Sequence, residues 1–197
     1  LFVIGTSGLC FYAIFLGGLA SNNKWSIIGA ARGLVAIISY ESVGALALIA
    51  IVMLVGSFSL IDINNYQSDG FFSWLIFKQP LAFALFVIAL FIETNRTSLC
   101  LTENEADIVA GYGTEYSGLR WGMFFIGEYA SMIAGAILIT LLFLGGLNDF
   151  YFIPGWIMMI VKSSFIFFWY FWARAAFPQL RPDQVMRMCY LILIPLA

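Results

Sequence analysis

The chain of 197 residues is 62% hydrophobic and 10% charged, with a mean hydropathy of +0.97, where soluble domains carry about 25% charge. This composition excludes a soluble globular domain and defines an integral membrane protein. A net charge of −2 with no basic cluster excludes a nucleic-acid binder.

Histidine is absent, so haem ligation by His and the usual proton shuttle are excluded. Cys10, Cys100 and Cys189 lie too far apart to form a CxxC unit, which argues against an iron–sulfur or zinc site in this chain.

A helix crossing the hydrocarbon core needs about 20 apolar residues. By that measure the expected fold is all-α: a polytopic bundle of about six helices in a single membrane domain covering residues 1–197. The expected helices are 1–20, 27–60, 71–92, 121–147, 154–177 and 184–197, with a long acidic loop at 93–120. Residues 1–20 lack the basic flank of a signal peptide, so a membrane helix is expected there. Pro80 stands near the start of the third helix. Open backbone is not tolerated in lipid, and no segment alternates as a barrel strand would. No internal repeat is visible, which argues mildly against an inverted-repeat transporter.

The connections fall alternately on two sides. The SNNK link, the acidic segment and the FPQLRPDQ link share one side; the INNYQSDG and GLNDFYF loops share the other. Lys24, Arg32, Arg96, Arg120, Arg174, Arg181 and Arg187 lie on or near the first side, and Lys78 near the second. The positive-inside rule therefore expects the acidic segment on the cytoplasmic or matrix face. The Asn95-Arg96-Thr97 sequon would then face the wrong compartment for glycosylation.

Four charges fall inside expected helices: Arg32, Glu41, Glu128 and Lys162. Each costs about 2.5–3.5 kcal/mol at a helix centre on an insertion scale. They read either as pairs that pin helix packing or as a hydrated polar path through the bundle. The stretch from Glu93 to Glu128 holds six of the chain's eleven acids. Thr102 and Glu105 fit a capping box that opens a short helix to Ala110, stopped by Gly111. Capping accounts for Glu105 and in part for Glu103, but not for Asp107, Glu115 and Glu128. Crowded carboxylates repel one another, which makes proton exchange near neutral pH accessible. Gly111-Tyr112-Gly113 imitates a potassium-channel filter, but an acidic helix precedes it where an apolar pore helix should stand.

The run ETNRTSLCLTENEADIVAGYGTEYSG, continuing into MFFIGEYA, closely resembles the long matrix-side loop of one family. That family is the quinone-site membrane subunit of respiratory complex I, found in both the mitochondrial and the bacterial enzyme. LASNNKWSIIGAARGLVAIISYE, Gly56-Ser57-Phe58 and RPDQVM agree as well, in order, over essentially the whole chain. The family's usual loop pattern is ETNR-x-PFDL-x-E-x-E-x-E-L, followed by two EY pairs. On that resemblance Glu41 matches the glutamate of a helix lining the polar path. Glu93 and Arg96 match the ETNR pair, and Glu103, Glu105 and Asp107 match the acidic triplet. Glu115 and Glu128 match the two EY glutamates, and Phe124 and Phe125 match aromatics near the quinone channel. Arg32, Lys162, Arg174, Arg181 and Asp183 fall at positions charged in the family.

The resemblance implies a core membrane subunit of proton-pumping NADH:ubiquinone oxidoreductase with no redox centre of its own. Ubiquinone is then the substrate, with Arg96, Phe124 and Phe125 at the quinone. Arg32, Glu41, Glu93, Glu103, Glu105, Asp107, Glu115, Glu128 and Lys162 would couple protons. Arg174, Arg181 and Asp183 would serve structure or interface. NAD, FMN and iron–sulfur clusters would reside in partner subunits: the peripheral-arm iron–sulfur and quinone-module subunits. Antiporter-like membrane subunits complete the expected partners.

The implied location is the mitochondrial inner membrane, or the plasma membrane in a bacterium. The family has eight membrane helices, so the first two are expected either on a separate amino-terminal polypeptide or on a part of the subunit beyond this sequence. Cys100 stands where the family has an aspartate. The alternatives are the homologous subunit of a membrane-bound hydrogenase, a stand-alone channel or transporter, and a structural membrane anchor.

Overall fold

The computed structural model describes residues 5, 10–68, 70–93, 113–148, 154–176 and 182–197, and among them all regular structure is helical. The helices are α1 (Cys10–Ala20), α2 (Lys24–Val55), α3 (Leu60–Tyr66), α4 (Leu75–Lys78) and α5 (Pro80–Glu93). They continue with α6 (Leu119–Phe143), α7 (Gly155–Ala176), α8 (Pro182–Met188) and α9 (Ile194–Leu196). A 3₁₀ turn at Phe71–Ser73 precedes α4, and a π-helical turn at Cys189–Leu193 joins α8 to α9. Among the described residues three helices are long and apolar enough to cross a membrane: α2, α6 and the first 19 residues of α7. α5, at 14 residues, is a shorter apolar helix.

α2 is the mast of the bundle. Asn23 caps it in extended conformation, its side-chain oxygen accepting from the Trp25 N–H at 3.2 Å. Gly56, at φ 77°, ends it with an N–H to Val52 O bond of 2.7 Å. Ser26, Ala30 and Gly33, and then Tyr40, Val43, Ala47 and Ile51, are buried along it, each run at three- and four-residue spacing, the stripe a helix turns toward its neighbours. That stripe packs on α1 and α5. A Cβ on Gly18 of α1 would press on the Ala30 Cβ and lie 3.2 Å from Ser26 O. A Cβ on Gly44 would reach Ala89 of α5 at 3.4 Å. Small residues let these backbones close up, which supplies the attraction that water provides in soluble proteins.

The core gathers from α2, α5, α6, α7 and the turns after α8. Phe143 meets Phe83 edge-on at 5.2 Å and Phe86 at 5.7 Å, and Phe91 stacks on Tyr170 at 5.6 Å and 10°. Such pairs add about 0.5–1.5 kcal/mol beyond area burial.

Two expected boundaries differ from the structure. The expected second helix, 27–60, starts earlier, at Lys24, and stops at Gly56; α3 then stands apart from it. The INNYQSDG stretch, read as a loop, has its first four residues inside α3. The expected third helix, 71–92, is a 3₁₀ turn, the short α4, an extended Gln79 (φ −136°, ψ 67°) and then α5. Pro80 explains the break: it excludes helical backbone at Gln79 and suits the first position of the helix it opens.

Candidate functional site

Asn23 does two jobs at the foot of α2. Its oxygen is committed to the cap, which leaves its amide N–H free to donate to Glu115 Oε1 at 2.8 Å. One residue on, the Tyr116 hydroxyl donates to Gly17 O of α1 at 2.8 Å. The last turn of the acidic segment is thus tied to both helices of the first hairpin, across 92 and 99 residues of sequence.

α6 starts directly beyond, at Leu119, behind Gly118 at φ 59°. Its first turns carry an aromatic cluster. Phe124 meets Tyr116 edge-on at 5.3 Å and closes on Gly17, where a Cβ would lie 3.2 Å from its ring. Phe125 meets Trp121 edge-on at 4.3 Å, and Gly113 lies under the Trp121 indole. Glu128 lies four residues past Phe124 on the same helix face, about 6 Å deeper along the axis, and is half-buried. Glu93 is half-buried at the end of α5. A carboxylate at the loop, an aromatic platform and a deeper carboxylate therefore follow one another at one end of the bundle.

Of the other residues singled out from the sequence, Arg32 is half-buried on α2, two turns from Asn23. Glu41 is exposed on α2 near its middle, beside the buried Tyr40. An ionised group at that depth must meet further protein or water. Asp183 is exposed in the first turn of α8. Arg174 lies on α7, where only its backbone is described. Arg96, Glu103, Glu105, Asp107 and Arg181 lie outside the described residues, as do Thr102 and the capping-box helix. Sequence reasoning does not single out Asn23, Gly17, Tyr116 and Trp121 as site residues. The Asn-Lys-Trp start of α2 is a readable cap signal for Asn23; contacts spanning more than 90 residues leave no local signal.

Lys162, grouped by resemblance with the proton-coupling residues, sits at the end of the bundle opposite Glu115. Its ammonium donates to Leu144 O at 2.5 Å and lies 4.2 Å above the Trp74 ring. Leu144 is 16 residues beyond Glu128 along α6, about 24 Å. The contacts make Lys162 a cap for the negative end of α6. Replacing it by Met is expected to lower stability by about 1–2 kcal/mol, since the bond and the cation–π contact go together. A thermal melt of the solubilised protein checks this; an unchanged midpoint refutes it.

The end of the acidic segment gives a second prediction. Asn23→Asp preserves the cap but sets a carboxylate against Glu115. Cleavage of the solubilised protein by a glutamate-specific protease next to Glu115 should then rise about two- to fivefold, the reach of an exposed polar pair. Equal rates in parent and variant would show that the bond does not hold the segment.

The fold and the site define a helical chain with membrane-length apolar helices that gathers carboxylates and aromatic rings at one end of its bundle. The chain belongs to the NADH dehydrogenase family, whose model matches residues 1–197. It is similar to an NADH-quinone oxidoreductase subunit of Campylobacter jejuni (serotype O:6), 93% identical over 197 residues, all of this chain and 59% of that protein. The proteins of the same name from Campylobacter curvus and Campylobacter hominis are 60% and 58% identical over the same 197 residues. The chain covers 59% and 60% of their lengths. It thus spans about three-fifths of the curated relatives it matches.

Proposed function

We propose that this chain is part of the membrane subunit of an NADH:quinone oxidoreductase at which quinone reduction is coupled to proton movement. The observation that carries the reading is the tie between Glu115 and Asn23 beside the Tyr116–Phe124 pair, in line with Glu128. Family membership and the names of the relatives support it. The aromatic faces of Phe124, Phe125 and Trp121 suit an apolar quinone ring, with Arg96 nearby in sequence. Glu103, Glu105, Asp107 and Glu115 respond to the charge change at the quinone. Glu93 and Glu128 pass it inward, toward Glu41 and Arg32 on α2.

Electrons arrive from partner subunits that hold FMN and iron–sulfur clusters and oxidise NADH. Antiporter-like membrane subunits receive the coupled charge. Moving one charge costs about 2.3 kcal/mol per 100 mV, so the relay must be tied to a strongly downhill redox step. The chain contributes six membrane crossings, with α5 and its preceding turns forming one of them. The relatives being bacterial favours a plasma membrane, with the acidic segment on the cytoplasmic face. Arg174, Arg181 and Asp183 lie on that face and serve contacts there.

Glu128→Gln and Glu105→Gln, each in the full-length subunit within its own membranes, are expected to lower NADH:quinone reductase activity at least about tenfold, a 1.4 kcal/mol effect on the barrier. A native gel with in-gel NADH staining must find the large particle intact. Parental activity and pumping in both variants would overturn the reading.

A further inference from the structure

Tyr170 of α7 is 1% exposed, and its hydroxyl has no hydrogen-bond partner among the described residues. The ring is stacked on Phe91 of α5 at 5.6 Å and 10°, and Trp169 meets Phe91 and Tyr170 edge-on at 6.2 and 6.4 Å. Held in this way, the phenol cannot swing to find a partner. Its oxygen is aimed at α6: a Cβ on Gly135 would lie 3.3 Å from it and 3.8 Å from a Leu90 methyl. The hydroxyl, Gly135 and Leu90 thus meet at one level, where α5, α6 and α7 come together. A buried hydroxyl left unmet is destabilising, and phenylalanine would fill the same space without it.

Two carboxylates stand above that level. Glu93 follows Leu90 by three residues, on the same face of α5 and one turn nearer the acidic segment. Side chains on a helix lean toward its N-terminus, so Glu93 leans toward the level of Leu90 and the hydroxyl. It is half-buried and close enough for its charge to act on the phenol. Glu128 precedes Gly135 by seven residues, two turns up the same face of α6. We infer that Tyr170 is a positioning residue for Glu93, its hydroxyl donating to the carboxylate when that side chain turns inward. The inference rests on the coupling role proposed above for Glu93, and it names the group that receives the carboxylate. The proton stays on the phenol; what the hydroxyl supplies is a fixed donor that makes a negative charge tolerable inside the bundle.

The test uses the full-length subunit in the assembled enzyme, within its own membranes. Tyr170→Phe keeps the ring and its stacking, so the solubilised enzyme should melt at or above the parental temperature. NADH:quinone reductase activity should nevertheless fall about tenfold, the scale of a hydrogen bond to a charged group. In a Glu93→Gln background the same change should cost nothing further, because groups that act as a pair are not additive. The infrared difference spectrum of quinone reduction gives a readout that mere packing would not move. The carboxyl band that disappears in Glu93→Gln should shift in Tyr170→Phe. Parental activity in Tyr170→Phe, additive losses in the double variant, or a Glu93 band that is absent or unmoved overturns the inference. A lowered melt overturns it too, since the hydroxyl would then hold a structural bond. Glu128→Gln and Glu105→Gln report separately on the proposed function: where they lose activity and Tyr170→Phe does not, the inference alone fails.

Discussion

Replacing Gln67 by leucine is expected to lower the stability of the protein by about 3–5 kcal/mol, the cost of several buried polar groups left unmet. Gln67 is only 1% exposed and stitches three elements together. The two N–H donors of its amide nitrogen are shared among Ile63 O, Leu141 O and Leu142 O, at 3.2, 3.4 and 3.0 Å. Its oxygen accepts from the N–H groups of Leu75 and Gly145 at 3.4 and 2.9 Å. Leu141 and Leu142 are among the last residues of α6, whose carbonyls have no following helical turn to bond. Leucine would match the volume while leaving those carbonyls and two N–H groups without partners in a site closed to water. A circular-dichroism melt of the solubilised full-length subunit should fall by about 10 °C. A shift of less than about 2 °C would mean that water replaces the amide, and the stitching role would be lost.

The second large effect belongs to Gly18. A leucine there must enter the space held by Ala30 and the Ser26 carbonyl. Both belong to helix backbone or to its first side-chain atom, so neither can swing aside. The helices must separate, at a cost of about 3 kcal/mol. The disturbance would spread to the site, because Gly17 is both the acceptor of the Tyr116 hydroxyl and the seat of the Phe124 ring. Gly18→Ala should show a weaker form of the same defect, and adding Ala30→Gly should restore the parental melt. A double variant no better than Gly18→Ala alone would remove the close approach as the cause, since residues in contact should couple.

Much of the fold is legible because a membrane helix announces itself as a long apolar run. α2, α6 and α7 lie within a few residues of their expected places. α3 is not legible. Its Ile-Asn-Asn-Tyr segment reads as loop because its polar groups have no visible partner in the sequence. In the fold Asn64 finds Asn148, donating to it at 2.9 Å and accepting from the Leu147 N–H at 3.1 Å. Partners 83 and 84 residues away override local propensity. The break before α5 is half legible: Pro80 stands out in the sequence, but not the extended Gln79 that it leaves behind.

At the site, the acids stand out by type, and the alternation of the links places Asn23 and Glu115 on the same side, where their bond is found. The bond itself, and Tyr116 reaching Gly17, depend on how α1 and α2 pack, which no local pattern encodes. The position of Lys162 is hidden for a related reason. A charge inside an apolar run signals that it needs a partner without saying which, and its partners here are a helix end and an indole.

The length of α2 has a consequence for where chemistry can happen. Its 32 residues span about 48 Å, while the hydrocarbon layer is about 30 Å thick. Tilting by the usual amount does not absorb that excess. Lys24 and Arg32 are the only basic residues of α2, so in the proposed orientation its first two turns take up that excess and project beyond the hydrocarbon as a stand-off. Asn23 sits at its tip, so in that orientation Glu115 is held about 13 Å clear of the Arg32 level. A charge carried from there past Phe124 toward Glu128 would leave water for the packed interior of the bundle, where an unpaired charge is costly.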